Sequence, residues 1–138
     1  MIVLDTNVLN HFLRGDDVLT RRILDCGERV AITIVTKIEV LQGHFDRVLK
    51  ADTQDRFLHA QARLVDAEQD LALFDIAYLD ARAIDIFFQL KKEKGAKKIG
   101  RADLLIAASV VSQHALLVTR NLRDFRLFKS LRAEDWTK

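Results

Sequence analysis

The sequence predicts an α/β fold in which a central parallel sheet is flanked by helices. Three features of the chain point to it. Short apolar, β-prone runs alternate with segments whose apolar residues recur at helical spacing. The best of those runs are apolar on both faces, as strands inside a parallel sheet must be. The chain has no proline and only five glycines, which fits a helix-rich domain without long loops.

The first run, Ile2-Val3-Leu4, stops at a carboxylate, a hydroxyl and an amide: Asp5, Thr6, Asn7. A buried strand here delivers Asp5 to the carboxyl edge of the sheet, where ligands bind in open α/β folds. Asp5 is open to two readings, a helix N-cap and a chemical group. Val8 to Arg14 reads as a short helix closed by Gly15, and Val18 to Cys26 as a second, with Val18, Leu19, Ile23 and Leu24 apolar before Gly27. Val30 to Val35 is the second strand. Thr36 can cap a long helix striped by Ile38, Leu41, Phe45, Val48 and Leu49, and Gln54 to Val65 forms another, making a helical hairpin. Leu71 to Phe74 reads as the third strand, and Leu79 to Leu90 as a helix ending near Gly95. Gly100 precedes a largely buried helix, Arg101 to about His114. Ala115 to Val118 is the fourth strand, followed by the polar turn Thr119 to Asp124, and the tail can add an edge strand around Leu127 to Leu131.

At 138 residues and 49% hydrophobic content, residues 1–138 are expected to form one domain. The single cysteine, Cys26, excludes an internal disulfide framework, and no Cys/His pairs stand at zinc spacing. The four histidines, His11, His44, His59 and His114, form no ligand cluster. No apolar run approaches the ~20 residues needed to span a bilayer, so a soluble cytoplasmic protein without membrane partners is expected. Net charge is only +2 but unevenly spread. Residues 52–85 hold eight acids against three arginines, whereas residues 91–101 hold six bases against one glutamate. The basic run fits either a solvated helix face or a phosphate-binding rim, to which Lys97, Lys98 and Arg101 would belong.

Topology gathers further carboxylates at the edge that holds Asp5. Glu39 falls in the first turn of the helix after the second strand, Asp103 in the first turn after Gly100, and Asp124 in the turn after the fourth strand. The helical neighbours of Asp103 are Ile106, Ala107 and Val110, which places it at the buried face. Each acid alone has a bland explanation: a solvated residue, a first-turn acid, a turn former. Together they repel and would protonate unless a cation neutralises them. Oxygen-only ligands select hard ions such as Mg²⁺ or Mn²⁺, and those ions support phosphodiester hydrolysis.

Four stretches then resemble one family. Ile2-Val3-Leu4-Asp5-Thr6-Asn7, Thr36 to Gly43, Ile99 to Ala108 and Val118 to Phe125 look like the PIN-domain nucleases, in particular the VapC-type toxins of bacterial toxin–antitoxin pairs. The resemblance covers nearly the whole chain in the family's order. It implies an α/β/α sandwich, Mg²⁺- or Mn²⁺-dependent endoribonuclease activity on RNA, a homodimer, and inhibition by a cognate antitoxin. It carries Asp5, Glu39 and Asp103 over as metal ligands, with Asn7 and Thr119 orienting them. Many members have an aspartate where this chain has Asn121, so the fourth acidic position is either neutral here or taken by Asp124.

Other functions compete. Phosphatases with an aspartyl nucleophile also begin with a strand ending in Asp, but usually need a second carboxylate two residues on, where this chain has Asn7. A non-catalytic RNA-binding domain is disfavoured by the intact Asp5, Glu39 and Asp103, and a stand-alone RNA-processing nuclease is the alternative to a toxin. The apolar residues Phe57, Leu58, Leu64 and Val65, with Leu79, Ile86 and Phe87, have two readings, core packing and a surface for the homodimer or antitoxin.

Overall fold

The strand Ile2–Leu4 (β1) is wholly buried because it has partners on both edges and helices on both faces. In the computed structural model, which describes residues 1–138, β1 lies between β2 (Val30–Thr33) and β4 (Leu116–Val118). The strands β3 (Asp75–Ala77) and β5 (Arg132–Glu134) complete a five-stranded sheet of order β3-β2-β1-β4-β5, parallel throughout. Register matters more than length here. Leu4 pairs with Ile32 and with Val118, so the next residues, Asp5, Thr33 and Thr119, stand side by side at the carboxyl edge.

Alternation along each strand divides the core in two. Val3, Ala31 and Leu117 pack against α5 (Ala81–Lys91) and α6 (Arg101–Ser112), meeting Phe87, Leu90, Ile106 and Val110. Ile2, Leu4, Ile32 and Val118 face the opposite layer of α1 (Thr6–Leu13), α2 (Asp17–Asp25), α3 (Ile34–Lys50) and α4 (Gln54–Leu71). Each such side chain taken from water contributes ~1.5–3 kcal/mol, which holds the layers together. The result is the expected α/β/α sandwich, with α3 and α4 forming the expected hairpin.

The boundaries differ from expectation where a single residue does two jobs. Thr33, not Thr36, caps α3: its hydroxyl accepts the Thr36 N–H at 3.1 Å, so Ile34 and Val35 open the helix instead of ending the strand. Glu39 consequently lies in the second turn, not the first. The predicted third strand at Leu71 to Phe74 is absent. Leu71 closes the buried stripe of α4 with Ala60 and Ala67, Leu73 is 84% exposed, and Phe74 stacks edge-on to Phe12 with ring centroids 6.0 Å apart. The strand forms instead at Asp75–Ala77. In the tail, Phe125, Phe128 and Leu131 are buried at a spacing of three, which is helical, and α7 (Leu122–Phe125) forms there. The last strand follows at Arg132–Glu134 instead of Leu127 to Leu131. Of the suggested partner surface, Phe57, Leu58 and Val65 are exposed, whereas Phe87 is 2% exposed and belongs to the core. No helix is long and apolar enough to cross a membrane.

Candidate active site

Asp5 fills one of the two roles its sequence position left open, that of helix cap, with its second oxygen engaged across the sheet edge. Its Oδ1 accepts the Val8 N–H at 2.8 Å and caps α1, while its Oδ2 accepts the hydroxyl proton of the fully buried Thr119. Burial pushes the Asp5 carboxyl above its ordinary pKa, and the negative charge of Glu39 adds to this. The hydrogen bonds from Thr119 and from the Val8 and Asn7 N–H groups pull the other way without cancelling it. Asn7 therefore assists through its backbone; its amide is exposed and makes no hydrogen bond.

Asp103, the third residue of α6, is half-buried, as its helical neighbours predicted. Burial raises its pKa first, followed by the charges of Glu39, Asp5 and Asp124. Every charge that perturbs Asp103 is negative. Glu39, Asp5 and Asp124 thus lie within electrostatic range of Asp103. Asp124 is reached through the strand end of β4: the Asn121 amide donates to Asp124 Oδ2 at 2.9 Å, and the Asn121 N–H donates to Thr119 Oγ1 at 2.9 Å. Asn121 thus orients the acid three residues on and ties it to the hydroxyl that holds Asp5.

Glu39 is exposed and is held by a residue that sequence reasoning did not single out. Thr6 donates to Glu39 Oε1 at 2.7 Å and lies 3.1 Å from the hydroxyl of Thr36, which in turn lies 3.4 Å from that of Thr33. A hydroxyl has one proton. Because that of Thr6 goes to the carboxylate, Thr36 must donate to Thr6 and Thr33 to Thr36. The chain of hydroxyls ends on an anion, and each bond polarises the next. Thr33 and Thr36 are wholly buried, so they need partners. A hydroxyl directly after Asp5 and two more spaced by three at a strand end were the available signal.

With Asp5 turned to Thr119, Glu39 to Thr6 and Asp124 to Asn121, no three acidic, imidazole or thiolate groups stand close enough to grip one ion as the side chains lie. The basic residues predicted at the rim are not drawn to the acids. Lys97 and Lys98 are exposed on a 3₁₀ turn (Ala96–Lys98), and the Arg101 guanidinium sits 5.0 Å from the centre of the Phe87 ring. There Arg101 stacks on an aromatic face beside Lys91, 5.6 Å from the same ring.

A parallel sheet with Asp5 at its carboxyl edge and Glu39, Asp103 and Asp124 on flanking helices suits carboxylate-based phosphodiester cleavage. The PIN domain family model matches residues 2–130, and the chain belongs to that family. Among curated relatives, it is similar to Ribonuclease VapC1 of Haemophilus influenzae strain R2866, with 24% identity over 99% of this chain and 98% of the relative. It is also similar to the tRNA(fMet)-specific endonuclease VapC of Shigella flexneri, with 25% identity over 98% and 97%. The fold is shared with VapBC-1 of nontypeable Haemophilus influenzae, at a TM-score of 0.79 and 22% identity over the whole of both chains. DNA-bound VapBC of Salmonella typhimurium gives a TM-score of 0.80 at 25% identity over 98% of this chain and 97% of that one.

Proposed function

We propose that residues 1–138 form one nuclease domain, a cytoplasmic endoribonuclease that hydrolyses RNA phosphodiester bonds with Mg²⁺ or Mn²⁺ and serves as the toxin of a toxin–antitoxin pair. The observation that carries it is the set Asp5, Glu39, Asp103 and Asp124 around one sheet edge, where burial first and then neighbouring negative charge push Asp103 and Asp5 upward in pKa. Such a set is at ease when a cation neutralises it. The donor set is all oxygen, which fits a hard divalent ion. Asp5, Glu39, Asp103 and Asp124 would hold the ion, which when bound supplies an activated water and stabilises the charge developing on the phosphate.

The protein's own part is orientation. Thr119 and the Val8 N–H fix the Asp5 carboxylate, Thr6 fixes Glu39 and Asn121 fixes Asp124, each leaving lone pairs free, since a carboxylate offers about four acceptor sites. The names of the curated relatives favour RNA as substrate, and the VapBC complexes among the structural neighbours favour an antitoxin partner. The exposed apolar residues Ile38, Phe45 and Leu49 of α3 and Phe57, Leu58 and Val65 of α4 offer a face for that antitoxin or for a homodimer. The test is cleavage of single-stranded RNA by the purified protein with Mg²⁺, with Mn²⁺ and in excess chelator. Activity is expected only with metal; cleavage that survives chelation, contaminating nuclease excluded, refutes the mechanism.

A further inference from the structure

A groove leads away from the acids between α1, α3 and α4, and nothing in the reaction described above uses it. Its near half, about 420 Å³, begins at Glu39 and runs along the α3 face of Val40, Gly43, His44 and Arg47, facing Arg14 and Arg63. Its far half, about 530 Å³, shares Arg47 and Arg63 and continues to Lys50 and Arg56 near the tip of the helical hairpin. The two cavities adjoin at Arg47 and Arg63. By helix rise, Arg47 lies ~12 Å along α3 from Glu39, within a few nucleotides of a strand held at the acids.

Charge and space both point to a ligand. The ion pairs of the chain are those of the terminal amine with Glu28, Arg29 with Asp75 and Arg56 with Asp52. Arg14, Arg47, Lys50 and Arg63 therefore face the groove without an anionic partner. The near half balances its arginines with Glu39, Asp66 and Asp70, whereas the far half sets Arg47, Lys50 and Arg63 against Asp55, its Arg56 being paired with Asp52. His44 reports the same field: burial, then the charges of Arg47 and Arg63, hold its pKa below the usual imidazole range, and its Nδ1 is buried with no partner. The space comes from Gly43. It sits in the interior of α3, where glycine is costly, yet a Cβ there would meet nothing within 4 Å. No turn and no neighbouring side chain requires it. What its missing side chain does is leave the groove floor bare beside Glu39.

We propose that this groove is a binding track for the sugar–phosphate backbone of the RNA strand leaving the carboxylate site, with one or more phosphates held by Arg47, Lys50 and Arg63 and the chain passing over Gly43. It rests on the ribonuclease reading for the identity of the strand. It adds phosphate contacts on the sheet face opposite that of Arg101, whose guanidinium lies over Phe87.

The experiment measures binding apart from cleavage: fluorescence anisotropy of a labelled single-stranded RNA of mixed sequence, over a salt series in chelator, using the full chain. For Arg47→Gln/Arg63→Gln, affinity is expected to fall at least ~10-fold. The slope of log K against log salt should flatten by about 1.4, at ~0.7 per phosphate contact on a single strand. Gly43→Leu, which fills the floor without removing charge, should weaken binding and leave the slope unchanged. Thermal melts confirm folding, and the exposed Lys50→Gln, expected to flatten the slope by ~0.7, supplies a reading if the double variant does not fold. Unchanged affinity and slope in the arginine variant, or in Lys50→Gln where that alone folds, overturn the proposal. So does a loss confined to capture of a co-expressed antitoxin while RNA binding persists, which makes the groove a protein dock. If the wild type cleaves no RNA with either metal but the variants still lose RNA affinity, the nuclease reading fails and the groove stands.

Discussion

Removing the Thr6 hydroxyl separates a structural from a functional account of the hydroxyl chain. In Thr6→Val the Glu39 carboxylate loses its 2.7 Å donor, and the proton of the wholly buried Thr36 hydroxyl loses its acceptor. The first loss is at an exposed carboxylate and so contributes little to stability. The second leaves a buried polar group unpaired, at ~1–3 kcal/mol, reduced where the Thr36 hydroxyl can turn to that of Thr33, 3.4 Å away. A net cost of about 1–2 kcal/mol follows, roughly 4 °C in Tm per kcal/mol for a chain of this length. The functional effect is separate. Partners that orient a metal ligand are typically worth ~10–100-fold in metal affinity, so the Mg²⁺ or Mn²⁺ concentration giving half-maximal cleavage should rise by about that factor, with activity recovering at saturating metal. Thr6→Ser keeps the donor and should restore both. The assay is RNA cleavage across a metal titration, beside melts in chelator. An unchanged metal requirement in Thr6→Val, or equal effects from Thr6→Val and Thr6→Ser, would refute the assignment of Thr6 as the group that positions Glu39.

Asp103→Asn should abolish cleavage while leaving the metal-free protein as stable as wild type or more so, read by melts in chelator, since it removes one of four crowded charges. The pH dependence has a matching sign: Asp5 and Asp103 have folded pKa values raised above 3.8, so the folded state holds their protons longer than the unfolded chain does. Their contribution to stability therefore falls as pH rises from about 3.8 through the raised values, and denaturant midpoints in chelator should show that fall, with added Mg²⁺ restoring stability near neutrality. Asn121→Asp sets a second carboxylate against Asp124 in place of a 2.9 Å hydrogen bond; melts should show destabilisation in chelator and a larger gain on adding Mg²⁺ than wild type. Gly43→Ala should stabilise α3 by about 0.5–1 kcal/mol in urea unfolding, because no neighbour opposes the added methyl.

What could be read in the sequence was what has to be buried on two sides. β1, β2 and β4 are enclosed by neighbours and helices, and their apolar runs say so. β3 and β5 each pair on one edge only and bury little, so Asp75-Ile76-Ala77 and Arg132-Ala133-Glu134 carry no such run. The apolar residues just before them served other contacts: Leu71 the last turn of α4, Phe74 the Phe12 ring, Phe128 and Leu131 the core. In the site, Asp5 and Asp103 were legible from a strand end and a helical face. Thr6 was not, because its partner lies 33 residues away on a different helix. Asn121, which could be weighed only as a replacement for an acid, turns out to orient Asp124, a relation that depends on α7 beginning one residue later.

The two flanking strands also limit how copies of this chain can meet. A sheet margin offers unpaired N–H and C=O groups to any strand that approaches, and association through it needs length and a flat, uncharged face. β3 is three residues long, with Asp75 and Arg29 ion-paired across its exposed start; β5 is also three residues long and exposes Arg132 and Glu134. Both margins therefore discourage sheet extension from one molecule into another. Any self-association is left to side-chain packing between helices.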